Sequence, residues 1–503
     1  MGALVSLVQK GIQLSEMEAG VRKVDRPKDV KPYTLFGSLP VLRAQIEDEA
    51  EAMDKEKEEP RHETPVNGTT TTTTTNNTND NDKTTSNNTD NAAGTSNNDS
   101  KETQIEQPAS PSERPIRDLV PMYSAAGAQC SQWSPMVKDI LGMGHVTEGN
   151  ATLINFSPTF ASADGSPATL SLKHSVGGGV ESEVTVLSWN YAGNFLITGS
   201  FDGQMKMWSS DGRLRHSLVL HKAPIMVVRW NRSGSLVLSM DCTNTVAIWD
   251  AFSGEIRQHF PGFEDPANPA AGTDADWIDG VTYAVTGENS SIIVYKVGER
   301  IPVLRFQGHT QAVNSINFDP SSQLLCSGSD DSTVRLWNGK TSVPVKTFYG
   351  HTSSVMCVCW ITNNTDVNAQ TTIDPSTSLA SSLVVSGSMD STVRVWDANT
   401  GSALLTLLLH EGAVFYCEVS PNGQLMATGG LDGVLVVWDL SNIKAPEPPG
   451  SQRAIARYSC NPELVKQGSS LAISSISWSS DSSKVFVSYG FHSAVLDIHP
   501  TTS

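Results

Sequence analysis

A tryptophan that recurs at a nearly constant spacing constrains this sequence more than any other feature. A turn rich in Gly or small polar residues precedes each member of the series Trp208, Trp249, Trp337, Trp396 and Trp438. Tyr295 and Leu496 occupy the same place in two further units, and the successive spacings from Trp208 are then 41, 46, 42, 59, 42 and 58 residues. A repeat of about 42 residues that contains several short strand patterns indicates a β-propeller, in which each unit is one four-stranded blade.

The two longer spacings contain insertions between strand patterns. One insertion runs from 363 to 378 and is Thr-rich, and the other runs from 442 to 467 and is rich in Pro, Lys and Glu. Polar insertions of this kind are typical of surface loops. A further segment, 157–181, separates the first two units and contains three consecutive Gly residues. We therefore predict that all three segments are loops outside the blades.

An eighth, degenerate unit precedes these seven. It covers residues 130–156, and its Trp-Ser-Pro turn at Trp133 matches the Trp-Asn turn at Trp189 in the next unit. Ile154 stands where the repeated Trp is expected. We therefore predict an all-β fold, an eight-bladed propeller over residues 116–503, with seven blades as the alternative.

Ring closure can also be predicted from the sequence. A closed ring removes exposed sheet edges, and propellers usually close by pairing an N-terminal strand with the last blade. The segment Leu119 to Ala125 precedes the first unit, and the last strand pattern runs from Ala494 to Ile498. We therefore expect these two segments to pair and close the ring.

Each complete unit carries a fixed order of side chains, which is Gly-His, then Ser or Thr, then Asp, then Trp. This order is the signature of WD repeats. Buried polar groups are tolerated only when all of them are hydrogen-bonded. We therefore predict a relay in which Asp accepts from His, and in which His and Ser hold the Trp. Its recurrence favours a structural role over a catalytic one. The predicted members are His309, Asp331 and Trp337, then His351, Asp390 and Trp396, then His410, Asp432 and Trp438, and also Asp202 and Trp208.

Several units lack the Asp of this signature. The fourth unit also lacks its Gly-His and has a Pro- and Ala-rich segment instead. Because the relay should brace a blade, we expect the units without it to be less rigid, and we expect the fourth loop to be elaborated for binding. The position of the Asp is taken by Thr243, Asn289, Gly490 and Glu148.

Charge and motifs exclude several classes of function. The chain of 503 residues has a formal net charge of -18. This charge disfavours direct DNA binding, because phosphates are bound mainly by clustered Lys and Arg. The sequence has no run of about eighteen apolar residues, so we predict no membrane span. Phosphate-binding loops, metal-ligand clusters and nucleophile motifs are also absent, so we predict neither an enzyme nor a cofactor. The seven Cys are scattered without a CxxC motif, as expected for reduced thiols.

Two helix patterns precede the repeats. Apolar residues of the first recur at helical spacing, and the second, over 39–59, has an apolar stripe and an acidic end. Neither buries much surface alone, so we expect residues 1–59 to pack on another copy of the chain or on a partner. Residues 60–115 contain a Thr homopolymer and few large apolar side chains, and we predict a disordered tether. The predicted partner-binding residues of the first helix are Leu4, Leu7, Val8 and Ile12.

Two positions in each blade are expected to reach the narrow top face, where propellers mostly bind peptides. One position precedes the Asp of the turn, and the other follows the first apolar residue of the inner strand. Exposed Met and Phe on a rim favour a partner site, although the same side chains can tuck into the channel wall. The predicted positions are Phe201, Cys242, Asp330, Met389 and Leu431, together with Thr185, Met226, Asn314, Met356 and Phe415.

Five segments are more specific than the general repeat pattern. One is GALVSLVQKGIQLSEMEA near the N-terminus. The others lie within the repeats and are SWNYAGNFLITGSFDGQMKMWSSDG, HKAPIMVVRWNRSGSLVLS, IWDAFSGEIRQHFP and VLRFQGHTQAVNSINFDPSSQLLCSGSDDSTVRLW. They resemble the transducin-beta-like family of F-box-like WD-repeat corepressor subunits, of the fungal histone deacetylase type. That family has a LisH motif, an F-box-like helical segment (here 1–59), a low-complexity linker (60–115) and an eight-bladed WD propeller (116–503). The LisH motif should precede Leu4, and the sequence begins at Met1, so either the sequence is truncated or the protein lacks the motif. In both cases oligomerisation of this chain through the motif is doubtful.

The resemblance implies a non-catalytic scaffold of a nuclear histone deacetylase corepressor complex that acts on chromatin in transcriptional regulation. Its implied partners are corepressor and class I histone deacetylase subunits, with histone tails as a further ligand of the propeller. If the N-terminal helices are a true F-box, the alternative is a substrate-receptor adaptor of a cullin-type ubiquitin ligase. Neither interpretation involves a cofactor, a membrane or direct binding of DNA.

Overall fold

The described part of the chain is built almost wholly of β-strands. The computed structural model describes residues 116–145, 149–162, 165–174, 182–261, 273–287, 290–361, 382–441, 443, 453–460, 471–490 and 492–498. Over these ranges the chain forms 33 strands and one short 3-10 helix, Pro158–Phe160. The predicted F-box-like segment and the predicted linker lie outside them. No helix within these ranges is long and apolar enough to cross a membrane.

The strands form eight separate sheets, and each sheet is one blade. The prediction of an all-β, eight-bladed propeller is therefore confirmed, and the alternative of seven blades is wrong. The degenerate first unit makes a complete blade, because Ile154 fills the place of the repeated Trp. Its side chain is only 2% exposed, and the residue pairs with Leu141 on the neighbouring strand.

Blades 1 to 4 are antiparallel sheets in which the chain runs from the innermost strand, a, to the outermost strand, d. Two strands, β1 (Arg117–Asp118) and β2 (Pro121–Ala126), precede them. Blade 1 contains β3 (Ala128–Trp133), β4 (Ile140–His145), β5 (Asn150–Asn155) and β6 (Ala168–Lys173). Blade 2 contains β7 (Val184–Trp189), β8 (Phe195–Ser200), β9 (Gln204–Ser209) and β10 (Leu214–Val219). Blade 3 contains β11 (Ile225–Trp230), β12 (Leu236–Asp241), β13 (Val246–Asp250) and β14 (Ile256–Phe260), and blade 4 contains β15 (Ala275–Trp277), β16 (Thr282–Thr286), β17 (Ile292–Lys296) and β18 (Leu304–Phe306).

Blades 5 to 8 continue the same order, except that blade 8 takes its outer strand from the start of the described chain. Blade 5 contains β19 (Val313–Asp319), β20 (Leu324–Ser329), β21 (Val334–Asn338) and β22 (Lys346–Phe348). Blade 6 contains β23 (Val355–Ile361), β24 (Leu383–Ser388), β25 (Val393–Asp397) and β26 (Ala403–Leu407). Blade 7 contains β27 (Val414–Val419), β28 (Leu425–Gly430), β29 (Val434–Asp439) and β30 (Ala454–Ser459), and blade 8 contains β31 (Ile473–Trp478), β32 (Lys484–Tyr489), β33 (His492–Asp497) and β2.

Face-to-face packing of the blades explains which strands are buried. Strands b such as β8 and β12 are buried along nearly their whole length, whereas outer strands such as β10 and β14 are mostly exposed. The main apolar core is divided accordingly into eight clusters, each shared by two neighbouring blades. Each blade therefore depends on both neighbours to bury its apolar surface, as in other repeat proteins.

Contacts between inner strands join the blades around the ring. The inner strand of each blade contacts the inner strand of the next, and contact between β31 and β3 completes the circle. Several inner-strand indoles donate to a carbonyl of the preceding blade, such as Trp189 Nε1 to Gln132 O at 3.2 Å and Trp230 Nε1 to Ser188 O at 3.0 Å. These bonds satisfy the polar end of a large apolar side chain inside the interface.

The segment that precedes blade 1 closes the ring. β2 pairs antiparallel with β33, so the predicted closure is confirmed. β1 was not predicted; it pairs parallel with β30 and adds a fifth strand to blade 7. Arg117 donates to Ile498 O at 2.6 Å, and Asp118 forms an ion pair with Arg457 at 2.7 Å. We call residues 116–126 the latch, because they connect the outer edges of blades 7 and 8.

Two of the predicted loops contain outer strands instead. β6 lies within the predicted loop 157–181, and β30 lies within the predicted insertion 442–467. These two strands give a weak apolar signal in the sequence, because β6 buries only one side chain, Leu172. In β30 the inward-facing positions include the small residues Ala454 and Ala456. The Thr-rich insertion 363–378 lies outside the described residues.

Candidate functional site

A chain of hydrogen bonds links the three predicted relay residues of blade 5. His309 Nδ1 donates to Asp331 Oδ2 at 2.8 Å, and Trp337 Nε1 donates to Ser327 Oγ at 2.8 Å. The Ser327 hydroxyl donates in turn to His309 Nε2 at 2.7 Å. Thr333 Oγ1 also donates to Asp331 Oδ1, at 2.6 Å. Because the histidine and tryptophan are buried, the relay satisfies polar groups that have no access to water.

The same relay recurs in blades 6 and 7 with the predicted residues. In each blade the imidazole bridges a carboxylate in the b–c turn and a hydroxyl on strand b, and the hydroxyl also accepts from the indole. In blade 6, His351 lies 2.9 Å from Asp390 and 2.7 Å from the Ser386 hydroxyl, which accepts from Trp396 at 2.8 Å. In blade 7, His410 lies 2.8 Å from Asp432 and 2.8 Å from the Thr428 hydroxyl, which accepts from Trp438 at 2.7 Å.

Blade 3 contains a fourth relay that was not predicted. Thr243 stands where the Asp was expected, but Asp241, two residues earlier, reaches the imidazole of His221. His221 Nδ1 donates to Asp241 Oδ2 at 2.8 Å, and Trp249 Nε1 donates to Ser239 Oγ at 2.8 Å. The expectation that this blade lacks the brace is therefore wrong. The available signal was an Asp at the end of strand b, rather than in the turn that follows it.

Blade 2 contains only part of the predicted relay. Trp208 Nε1 donates to Thr198 Oγ1 at 2.9 Å, and His174 Nε2 shares the same hydroxyl. Asp202 was predicted to belong to this relay, but its carboxylate accepts from the main-chain N–H of Gln204 at 3.0 Å and caps its own exposed turn. Burial lowers the pKa of His174 to about 4, so its imidazole is neutral.

The relay carboxylates of blades 5 and 6 are held ionised inside the blades. Burial by itself would raise the pKa of Asp390, but hydrogen bonds from Thr392 and from the Thr352 main chain lower it to about 2, with His351 adding to the effect. In blade 5 burial also acts to raise the pKa of Asp331, but the hydrogen bond and charge of His309, together with hydrogen bonds from Thr333 and the Thr310 main chain, hold this pKa well below its ordinary value. These two relays therefore place a carboxylate anion next to fixed donors.

We expect Asp390→Asn to lower stability only at a pH where the native carboxylate is ionised. Because the pKa of Asp390 is lower in the folded state than in the unfolded chain, its contribution is fully present above about pH 4 and is lost as the pH falls through about 2. The difference in unfolding free energy between wild type and variant should shrink below about pH 4. Urea unfolding across this range measures it, and a difference that stays constant would contradict an ionised relay.

The His–Asp pairs do not form a catalytic site. The same pair occurs in four blades and is enclosed within each of them. Within the described ranges, no group of three or more His, Cys, Asp or Glu side chains is suited to holding a metal ion. The seven Cys are free, and burial raises the pKa of Cys242 to about 12, which makes its thiol a poor nucleophile. The relays brace the blades, and we assign them no reaction.

The first set of predicted top-face residues lies in the b–c turns. We define the top face as the one that carries these turns and the His-bearing loops. Each main-chain N–H donates to a carbonyl just before its own inner strand, as from Asp330 to Ala312 and from Leu431 to Ala413, both at 2.9 Å. All five side chains are partly exposed, so they lie at the surface on a fixed backbone. They are Phe201, Cys242, Asp330, Met389 and Leu431.

The second set of predicted top-face residues is buried, so these residues do not form an exposed rim. Each lies at a β-bulge near the start of its inner strand. At the bulge the side chain is directed to the next blade: Thr185 Oγ1 donates to Ile225 O at 2.6 Å, and Asn314 Nδ2 donates to Val355 O at 3.0 Å. A charged residue at position 356 would therefore be buried rather than exposed. The buried set is Thr185, Met226, Asn314, Met356 and Phe415.

A further set of polar side chains joins successive inner strands. The residue before the inner-strand Trp, or before its replacement, accepts a main-chain N–H of the next blade: Gln132 Oε1 from Trp189 N at 2.7 Å, and Asp276 Oδ2 from Phe318 N at 2.8 Å. Glu418 holds this position in blade 7. Its Oε2 is enclosed and has no hydrogen-bond partner among the described residues, and burial raises its pKa to about 8.

We expect Glu418→Gln to stabilise the protein at alkaline pH. The raised pKa means that the folded state keeps a proton that the unfolded chain releases, so wild-type stability falls as the pH rises from about 4.5 through about 8. Glutamine cannot ionise, and it already serves at the same position of blade 1. The gain in unfolding free energy should be about 1–3 kcal/mol at about pH 9 and small at about pH 5. Equal gains at both values would exclude ionisation as the cause.

Four stretches of the chain match the family model described as WD domain, G-beta repeat. They are residues 171–209, 300–338, 342–397 and 401–439. The chain contains WD40 repeats. The matched stretches include the relay residues of blades 5, 6 and 7, which carry the repeat signature in full, and the indole of Trp208 in blade 2.

Relatives of this WD40-repeat protein confirm the resemblance to the transducin-beta-like family. It is 29% identical to the SIR4-interacting protein SIF2 of Saccharomyces cerevisiae, over 53% of this chain and 49% of that protein. It is 31% identical to the F-box-like/WD repeat-containing protein TBL1X of Mus musculus, over 58% of this chain and 53% of that protein. The WD40 repeat-containing protein HOS15 of Arabidopsis thaliana is 32% identical, over 51% and 40%. The chain thus spans about half the length of the curated relatives it matches, or less.

Solved structures agree with the architecture. The crystal structure of the C-terminal WD40 domain of Sif2 superimposes with a TM-score of 0.64 at 26% identity, over 76% of this chain and 99% of that domain. The computationally designed Ika8 protein superimposes with a TM-score of 0.54 at 20% identity, which supports the fold alone. The propeller therefore shares its architecture with the WD40 domain of Sif2. Outside the described residues lie the predicted N-terminal contacts Leu4, Leu7, Val8 and Ile12.

Proposed function

We propose that this protein is a non-catalytic scaffold subunit of a nuclear histone deacetylase corepressor complex that acts in transcriptional regulation. The observation that carries the proposal is the match of its propeller to nearly the whole WD40 domain of Sif2. The full-length SIF2 protein is named for its interaction with SIR4. The similarity to F-box-like/WD repeat-containing proteins supports the same assignment. Its partners are corepressor and class I histone deacetylase subunits.

The two parts of the chain have separate docking roles in this proposal. The first N-terminal helix pattern, with Leu4, Leu7, Val8 and Ile12, offers an apolar stripe to a partner subunit. The latch enters the propeller where Arg117 contacts Ile498, just after the end of the third strand of blade 8. That strand runs away from the b–c turns, so the latch begins on the side opposite the top face. In this proposal the top face binds a second partner.

The exposed b–c turns supply that second docking surface. Asp330, Met389 and Leu431 follow one another on blades 5, 6 and 7 and combine one carboxylate with two apolar side chains. Exposed apolar groups on a rigid surface are typical of protein contacts, and a carboxylate favours a basic segment such as a histone tail. Direct binding of DNA is disfavoured by the net charge of -18.

Affinity purification of the tagged full chain from nuclear extract, followed by mass spectrometry, tests this proposal. We expect deacetylase and corepressor subunits to be enriched over an untagged control. A matched variant with Leu7→Asp and Val8→Asp should lose the partners of the N-terminal segment while its propeller melts unchanged, because the substitutions lie outside the blades. Enrichment of a cullin and a Skp-type adaptor without a deacetylase would instead support the role of ubiquitin-ligase adaptor, and this result would contradict the proposed scaffold role.

A further inference from the structure

A small apolar cluster lies apart from the eight inter-blade cores, at the top of blades 6 and 7. Two of its members, Met389 and Leu431, occupy equivalent b–c turn positions on neighbouring blades and are partly exposed. The others support them from below, since most are buried at the start of the inner strands. The cluster contains Met356, Ala413 and Phe415, with Met389, Tyr416 and Leu431 packed against them.

A carboxylate is fixed next to this cluster. Asn314 Nδ2 donates to Asp330 Oδ1 at 2.8 Å and also to Val355 O at 3.0 Å. The same nitrogen lies 3.9 Å from Met356 Sδ, so the amide that orients the carboxylate touches the apolar cluster. Asp330 is itself a b–c turn residue, at the position equivalent to Met389. The top face therefore presents an acid on blade 5 followed by two apolar side chains on blades 6 and 7.

The b–c turn residues of blades 2 and 3 differ from those of blades 5 to 7. The equivalent positions of blades 2 and 3 hold Phe201 and Cys242, and neither carries a charge. The exposed cation Lys222 follows the relay histidine that enters blade 3, whereas the exposed anion Glu411 follows the relay histidine that enters blade 7. A carboxylate that can pair with a cationic ligand is therefore present in the b–c turn of blade 5 and is absent from the equivalent positions of blades 2 and 3.

The backbone beneath these three side chains is held in place before any ligand arrives. Each turn is tied by one main-chain bond to the loop before its inner strand, from Asp330 to Ala312, from Met389 to Ser354 and from Leu431 to Ala413, all at 2.9 Å. The relay aspartates that follow Met389 and Leu431 fix the same turns from within the blade. Preorganisation of this kind removes part of the entropic cost of binding.

We propose that Asp330, Met389 and Leu431, here called the blade 5–7 patch, bind a short peptide segment in which one Lys or Arg precedes two aliphatic side chains. The cation pairs with Asp330, which is partly desolvated and therefore stronger as a partner than a fully exposed carboxylate. The aliphatic groups pack on the leucine and on the thioether, whose flexible chain adapts to different shapes. This inference rests on the proposed function only in placing a partner on the top face, and it adds the chemistry of that partner.

Fluorescence anisotropy with the full chain tests the patch. The probe is a labelled synthetic peptide, Gly-Ser-Lys-Ser-Leu-Ser-Leu-Gly-Ser, whose Lys and two Leu lie on one side of an extended chain. Two control peptides replace the Lys by Glu or both Leu by Ser. We expect the first peptide to bind at least about tenfold more tightly than either control, which corresponds to about 1.4 kcal/mol. Binding of the Glu peptide with equal affinity, or no binding of any peptide, would overturn the proposal.

Variants of the protein locate the contact. Asp330→Asn keeps the shape of the side chain and its contact with Asn314, and it should weaken the Lys peptide about tenfold without weakening the Glu peptide, whose repulsion by the carboxylate is removed. Leu431→Ser should weaken the Lys peptide without removing its preference over the Glu peptide. Phe201→Ser, at the equivalent position on blade 2, is the matched control and should have no effect. Equal losses in Phe201→Ser and Leu431→Ser at unchanged melting temperatures would place binding elsewhere.

The outcome separates this inference from the proposed function. If the full chain captures deacetylase subunits but does not discriminate among the peptides, the blade 5–7 patch is overturned and the scaffold role stands. If it discriminates among the peptides but captures no deacetylase or corepressor subunit, the patch stands and the scaffold role is overturned.

Discussion

Deleting the latch, residues 116–126, from the otherwise complete chain is expected to abolish stable folding of the propeller. β2 is the outer strand of blade 8, and its loss exposes the edge of β33. Leu119 is 7% exposed and packs in the core between blades 7 and 8, while Tyr123 packs on the core between blades 8 and 1. Losing a strand and these apolar contacts at two interfaces should lower the free energy of unfolding by more than about 4 kcal/mol.

Thermal and urea unfolding of purified proteins measure this effect, and a shorter deletion is the matched control. A chain that lacks residues 1–112 keeps β1 and β2, and we expect it to unfold like the full chain because its eight blades are intact. A chain without the latch that unfolds at the same temperature as the control would show that blades 7 and 8 do not need the latch. Loss of solubility only in the chain without the latch would agree with an exposed sheet edge.

The second large effect is expected at the blade 5 relay. Asp331→Ala removes the acceptor of His309 Nδ1 and of the Thr310 main-chain N–H, which lie 2.8 and 3.1 Å from Oδ2. The buried imidazole then has a donor without a partner, which should lower the free energy of unfolding by about 1–3 kcal/mol. The expected result is a lower urea midpoint at an unchanged slope, because the surface exposed on unfolding stays the same.

Asp202→Ala provides the control for this prediction. Asp202 has the same place in the repeat signature, but it caps an exposed turn and has no hydrogen bond to a histidine. We expect its loss to lower the free energy of unfolding by less than about 1 kcal/mol. Equal losses in Asp331→Ala and Asp202→Ala would mean that the carboxylate acts through its turn, and that the relay contributes nothing of its own.

The fold was predictable because the repeat period fixes the number of blades and the order of their strands. Even the degenerate first blade was predictable, since Ile154 keeps an apolar residue where the other blades have Trp. The outer strands β6 and β30 were not, because β6 buries a single apolar side chain and two of the buried positions of β30 are alanines. β1 was missed for a related reason: its two residues are both exposed, and only pairing with β30 makes them a strand.

Side-chain contacts were predictable only where spacing determines them. Three relays follow the spacing, but Asp241 serves blade 3 from a position two residues earlier, and Asp202 has the expected spacing without the expected contact. The direction of a turn carboxylate depends on local backbone geometry that the residue type does not specify. The bulges that bury Asn314 and Met356 are likewise a property of strand pairing, so alternation along the strand did not reveal them.

The most direct test of the scaffold role compares deacetylase activity in two preparations of the same tagged chain. One is purified from nuclear extract with its partners, and the other is expressed alone and shown by its melting curve to be folded. Towards an acetylated histone peptide, we expect the first preparation to be active and sensitive to a hydroxamate deacetylase inhibitor, and the second to be inactive. Activity in the chain expressed alone, or its absence from the material purified from nuclear extract, would contradict the assignment as a non-catalytic subunit of a deacetylase complex.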